Sequence, residues 1–312
     1  MQVTILGITG GVGHAAAHAF LDAGIPVRAL VRDAGRVPPR EGLTLVEGDA
    51  RDPEALARAI EGSDVLFHGL NLPYPDWDPG MFELTEAVAT VAEAHGLTVL
   101  FPGNVYGLGP DFIEALTEED AHQPPSRKGA LRNRLEARLR QATEAGARCI
   151  VLRAGDFFGG IGQSSWMYHL TDGARTGGPI QIAGPTDVLH AWAFLPDVGK
   201  TFVLLAQRRN ELPPWAVFHF EGHVVTAPTW VEAVRAGLGD PTRHTKGFPW
   251  MWMQLARPFV PMVRELFEMR YLWNEPVRMD GSKLRAFLGE VPHTPLYDAV
   301  RQALAGEGTL AA

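Results

Sequence analysis

Three glycines, Gly7, Gly10 and Gly13, stand three residues apart between a short apolar run, Val3 to Leu6, and an alanine-rich segment, Ala15 to Ala23. A strand that turns this tightly into a helix needs residues without a Cβ. Only then can the backbone approach a pyrophosphate closely, with the N–H groups that open the helix meeting its charge. The spacing and its context predict a phosphate-binding turn at the edge of a parallel sheet, with Gly7, Thr9, Gly10, Gly11, Val12 and Gly13 as dinucleotide contacts. Gly24 closes the helix, because glycine accepts the left-handed conformation of a helix end.

The rest of the first half keeps the same alternation. Val27 to Val31, Leu43 to Val46, Val65 to Phe67, Leu97 to Phe101 and Arg148 to Leu152 read as strands. Pro53 to Ile60, Phe82 to His95 and Arg127 to Ala145 read as helices between them. Strands alternating with helices predict an α/β fold, a Rossmann-type doubly wound parallel sheet with helices on both faces. After about Gly155 glycine and proline become frequent and the segments shorten. The expected division is a dinucleotide-binding domain over 1–155, with later sheet elements from about 185–225. Residues 156–312 would form mainly a smaller substrate-binding lobe, with helices at Trp230 to Leu238 and Pro295 to Leu304.

The end of the second strand selects the dinucleotide. An acid there would hold a ribose 2′-hydroxyl, whereas an arginine accommodates a 2′-phosphate. The chain offers Arg28, Arg32 and Arg36, with Asp33 as the nearby acid, so NADP is favoured, with NAD as the alternative. Arg32, at the strand's C-terminal end, is the cofactor contact; Arg28 is near the start of the strand and is the weaker choice. A net charge of −8 gives no footing for nucleic acid or anionic lipid. The single cysteine, Cys149, lies in an apolar run and reads as a buried strand residue, which suits a cytoplasmic protein. No apolar stretch reaches membrane-spanning length, and no basic segment precedes an apolar stretch at the N-terminus. The eleven histidines show no ligand spacing, so no metal is expected. The expected partner is a small-molecule substrate, and a homodimer is compatible with the sequence.

These residues resemble the extended short-chain dehydrogenase/reductases, specifically the NAD-dependent epimerase/dehydratase branch. Thr9-Gly10-Gly11-Val12-Gly13 is similar to its Thr-Gly-x-x-Gly turn, and Gly48-Asp49 to its adenine-contacting pair, which adds Asp49 and Ala50 to the cofactor contacts. Asn104-Val105-Tyr106-Gly107 resembles its Val-Tyr-Gly segment, and Leu152-Arg153 its Leu-Arg start after strand six. His190 to Asp197 is similar to the stretch before its Val-Asp-Asp helix start. The resemblance covers residues 1 to about 205.

The positions where that family carries its catalytic set depart from it. The Ser or Thr position holds Pro102. Anchoring on Glu136 puts Arg132 at the Lys position and Lys128 at the Tyr position. Arg132 can still bind ribose and phosphate. Lys128, Arg132 and Glu136 share one helix face. A lysine beside Arg132 and an oxidised nicotinamide would feel like charge and desolvation, which would make Lys128 the proton carrier; a lysine that binds cofactor or substrate without transferring a proton, or a surface lysine, is the other reading. His68 and Gly69 follow the fourth strand at the cofactor edge, and His68 reads equally as a structural histidine. Asn104, Tyr106, Asp156 and Phe157 are the substrate candidates, with Tyr74 and Trp77 as a wall. Phe248 to Trp273 reads as a lid, a dimer contact, an amphipathic surface helix or core. Two functions remain open: an NAD(P)-dependent oxidoreductase or epimerase/dehydratase-like enzyme acting on a small molecule such as a sugar derivative, or a non-catalytic NADP-binding sensor.

Overall fold

The computed structural model describes residues 1–109, 115–120, 123–163 and 165–306. Strand β1 (Val3–Leu6) runs through the glycine turn into helix α1 (Gly11–Asp22), followed by β2 (Val27–Val31), β3 (Leu43–Glu47), α2 (Pro53–Ile60), β4 (Val65–His68) and α3 (Gly80–His95). Next come β5 (Thr98–Asn104), α4 (Arg127–Glu144) and β6 (Arg148–Ala154). Helix α1 starts at Gly11, four residues earlier than its alanines suggest; glycines of low helix propensity hide its first turn. Strand β5 continues through Pro102 to Asn104, three residues past the expected end at Phe101.

The second half supplies β7 (Asp156–Phe158), α5 (Trp166–Arg175), β8 (Ile180–Ile182), β9 (His190–Phe194), α6 (Leu195–Gln207) and β10 (Trp215–Phe220). Then follow β11 (His223–Val225), α7 (Ala227–Leu238), β12 (Thr245–Gly247), α8 (Trp250–Ala256), α9 (Pro261–Glu268), α10 (Tyr271–Asn274), α11 (Ser282–Leu288) and α12 (Leu296–Gly306). The main sheet has seven parallel strands in the order β10-β6-β5-β4-β1-β2-β3. The order reverses between β1 and β4, the place where open α/β sheets bind ligands at the carboxyl ends of their strands.

Alternate residues of each strand enter opposite cores. Leu6, Leu66, Val99 and Val151 pack under α2, α3 and α4. Ile5, Phe67, Leu100 and Ile150 pack under α1 and α6, where Phe20 and Phe202 are fully buried. A third core, built on Phe158, Trp192, Trp230 and Trp273, holds the second half together, with Trp192 and Trp230 stacked 4.0 Å apart. Cys149 is buried in β6, as its apolar neighbours imply, and burial pushes its thiol well up.

Candidate active site

The nucleotide turn shows its fit by what its glycines exclude. Gly7 has φ +87°, a left-handed conformation, and a Cβ there would strike the Gly69 carbonyl. A Cβ on Gly13 would run into the Gly7 carbonyl oxygen, so α1 lies directly on the turn. Gly10 differs: a Cβ there would meet only Gly7 O, at 3.4 Å, which leaves its outer side open. No side chain caps α1, so the first N–H groups of the helix are available to an anion. Gly160 and Ile161 lie over Gly11 from the loop after β7. This cradle fits the pyrophosphate of a dinucleotide.

At the end of β2 the two nearest acids are occupied by backbone. Asp33 accepts a hydrogen bond from Gly35 N at 2.9 Å, and Glu47 accepts one from Ala34 N at 3.0 Å. Arg32 and Arg36 are exposed, and neither forms an ion pair among the described residues. A cavity of about 380 Å³ opens beside Thr9, walled by His14, Arg36 and Arg40. Arg28 has another job: its guanidinium donates to Ala59 O and Arg58 O and closes the end of α2. Asp49 holds Arg51 N at 2.8 Å and stays about half exposed, and Ala50 is buried behind it.

Lys128, Arg132 and Glu136 do share one face of α4, and all three are buried. Their partners differ from the expected cluster of cations. The Lys128 ammonium is bound by Glu265 and, at 3.0 Å, by Glu268, both from α9. It stands 5.0 Å from the centre of the Tyr74 ring. Arg132 donates to Pro102 O at 2.5 Å and stacks over Phe101, and burial lowers its pKa. Glu136 makes a two-point ion pair with Arg153, whose guanidinium also reaches His219 Nε2 at 3.4 Å. No spacing in the sequence reveals α9 as the source of the two carboxylates.

Two tyrosines that the sequence offered separately come together in the site. Tyr74 (after β4) and Tyr106 (after β5) place their hydroxyls 3.0 Å apart. Burial pushes Tyr74 up to about 12 and Tyr106 well above the usual phenol value; Asp156 and Tyr271 raise both further, and Arg132 partly offsets the rise at Tyr74. At neutral pH both carry their protons and can donate them. Asn104 anchors this corner by accepting from Tyr106 N at 3.1 Å. Asp156 receives His190 Nε2 at 2.8 Å, and the His190 ring lies flat on Trp273 at 4.1 Å. Phe157 is half-buried against the core under α1 and α6. Among the described residues no group of three His, Cys, Asp or Glu side chains is placed to hold a metal ion.

His68 is fully buried, with Nε2 2.9 Å from Thr85 Oγ1. The Thr85 hydroxyl gives its own proton to Met81 O, so Nε2 carries the hydrogen and donates it. Burial, reinforced by Arg132, pushes the His68 pKa down to about 3. Its folded pKa lies below the unfolded one, so the unfolded state binds a proton first. Stability from this group is complete above pH 6.5 and falls as the pH drops from there towards 3, by about 1.4 kcal/mol per pH unit. His68→Gln is expected to flatten the stability profile between pH 6 and 4 measured by urea unfolding. An unchanged slope would contradict a neutral, buried His68.

Comparison with known proteins places this geometry. Residues 7–142 match the family model described as NAD(P)H-binding, which spans the glycine turn, β2 to β5 and most of α4. The whole chain shares its fold with solved structures of NAD-bound enzymes. MoeE5 in complex with UDP-glucose and NAD shares it at a TM-score of 0.76 and 18% identity, over 98% of each chain. UDP-glucose 4-epimerase from Bifidobacterium longum, in complex with NAD+ and UDP, shares it at 0.76 and 16%, over 97% of each chain. In sequence, the chain is 26% identical over 99% of both lengths to a 4-hydroxy-2-methyl-3-oxo-4-farnesyl-3,4-dihydroquinoline-1-oxide ketoreductase of Stigmatella aurantiaca.

Proposed function

We propose that the chain is an NADPH-dependent ketoreductase acting on a largely apolar carbonyl compound in the cytoplasm. The observation that carries this reading is the Tyr74–Tyr106 hydroxyl pair, 3.0 Å apart beside Arg132 and Asp156. It returns a protonated phenol to a site that lacks one at position 128. The dinucleotide would be held by the glycine turn, with Asp49 and Ala50 at the adenosine end and Gly69 facing Gly7. Arg32 and Arg36 would meet the 2′-phosphate, since the neighbouring acids are already engaged by backbone N–H groups. The cofactor supplies hydride. The chain's own part is to exclude water and to give the carbonyl oxygen a proton as it becomes an alkoxide, a far stronger base than phenolate.

Lys128 and Arg132 then serve as positioning residues rather than as the proton source. Lys128 joins α9 to the Tyr74 ring, and Arg132 fixes the Pro102 carbonyl and the Phe101 ring. The cations around the site weigh against a nucleotide-sugar substrate, because Lys128 and Arg153 already face carboxylates and a diphosphate would have to compete with them. The ketoreductase relative over the full length supports a carbonyl substrate.

The test is oxidation of NADPH, followed by absorbance, with a panel of aromatic and prenylated ketones. Tyr106→Phe is expected to lower kcat by about a hundredfold or more while leaving NADPH affinity unchanged, the usual scale for loss of a general acid. Unchanged kcat would remove the phenol pair from the chemistry.

A further inference from the structure

We propose that the outer face of the α8–α9 hairpin docks on the surface of a bilayer containing anionic lipid. Exposed large apolar side chains concentrate here: Met251, Trp252, Leu255 and Phe259 are 74%, 68%, 64% and 84% exposed, and Val260 and Met262 continue the patch. Single exposed apolar residues need no explanation, but a contiguous run of six within twelve residues does.

Charge identifies the occupant. The chain carries −8 overall, yet no Asp or Glu occurs from residue 241 to 264, where Arg243, Lys246, Arg257 and Arg264 stand. Arg257 and Arg264 are exposed between and beside the apolar side chains. The first acids beyond them, Glu265 and Glu268, turn inward to Lys128 and Arg127, and Arg264, itself 57% exposed, stands 3.4 Å from Glu265. The outer face is therefore apolar, aromatic and cationic, the combination that seats an amphipathic element in the headgroup region with its tryptophan at the interface. The chain-wide negative charge hides this local reversal.

The hairpin has a second, inward face. Trp250 packs on Phe267 and donates its indole N–H to Ala183 O at 2.6 Å, so the element is anchored in the third core and not loosely attached. No helix among the described residues is long and apolar enough to cross a membrane, so the contact is with the surface. The same hairpin that covers Lys128 would rest on the lipid, placing the site's cover where apolar molecules partition.

The experiment is co-sedimentation of the full chain with vesicles of phosphatidylcholine alone and of phosphatidylcholine with phosphatidylglycerol, alongside tryptophan quenching by brominated lipid. The expected result is pelleting with the phosphatidylglycerol vesicles, weakened by salt. Trp252→Ser with Phe259→Ser should reduce it by about tenfold or more, with NADPH affinity unchanged. Arg257→Ser with Arg264→Ser should reduce the preference for phosphatidylglycerol. Absence of pelleting would overturn the proposal, and so would equal pelleting of the Trp252/Phe259 variant. Light scattering gives a third outcome: a dimer that the same variant splits, without vesicle binding, would make a second copy the occupant and overturn the lipid assignment. None of these readouts depends on whether the substrate is a ketone.

Discussion

Gly10→Ala is expected to fold normally and to bind NADPH about a hundredfold more weakly, a loss of about 2.7 kcal/mol. The added methyl meets only the Gly7 carbonyl oxygen, at an ordinary 3.4 Å, so the turn has no reason to shift. It would occupy the open outer side of the turn, where a pyrophosphate must come within hydrogen-bonding distance of the backbone. Gly13→Ala differs in kind. Its Cβ would drive into Gly7 O and separate α1 from β1, so it is expected to lower the unfolding midpoint and the affinity together. Fluorescence titration with NADPH, paired with thermal unfolding of both variants, separates these outcomes. If Gly10→Ala bound as well as the wild type, the pyrophosphate would not lie on this turn.

Lys128→Met is expected to destabilise the fold by about 3–5 kcal/mol near neutral pH, the scale for removing one partner of a buried ion pair. The methionine would fill similar space but leave Glu265 and Glu268, both largely shielded from water, with only the exposed Arg127 and Arg264 as counter-charges. In the wild type, burial pushes both carboxyls up, and Lys128 outweighs it, so both are held below the usual carboxylate range. Their folded pKa is lowered, so their contribution is present above about pH 4.5 and lost as the pH falls below it. In the variant the carboxylates have lost their buried counter-charge and gain by taking up protons. The difference in stability between wild type and variant should therefore shrink as the pH drops through 4.5. Chemical denaturation at a series of pH values measures this. A difference that stayed constant with pH would mean that the ion pair is not what the lysine supplies. Since α9 is tied down through these contacts, the variant should also lose turnover with the apolar ketone more than it loses NADPH affinity.

Local chemistry made much of this molecule legible from its sequence. The β1–α1–β2 unit could be read because glycines, an apolar strand and an alanine-rich helix adjoin within thirty residues. The buried face of α4 was equally readable, since Lys128, Arg132 and Glu136 are related by helical periodicity alone. The partners of that face were not readable. Glu265 and Glu268 come from more than a hundred residues away, and the tyrosine pair joins two loops that follow different strands. The expectation that Lys128 sits among cations failed for this reason: position on a helix says nothing about what another element brings to it. The short strands of the second half, such as β7 and β11 of three residues each, carry too little alternation to stand out from loops. Tyr74 could have been weighted more heavily, because it and Tyr106 were already separate candidates at the carboxyl ends of neighbouring strands. The Phe248 to Trp273 segment is now resolved into an inward face that covers Lys128 and an outward face that remains apolar.

The most direct test of an NADPH-dependent enzyme is the affinity of NADPH and NADH for the wild type, Arg32→Ala and Arg32→Ala with Arg36→Ala. NADPH is expected to bind the wild type at least about tenfold more tightly than NADH, the least that loss of a charge-assisted contact to a 2′-phosphate should cost. Each arginine removed should weaken NADPH while NADH stays constant. Equal affinity for the two dinucleotides, or NADPH binding that survives loss of both arginines, would contradict the account.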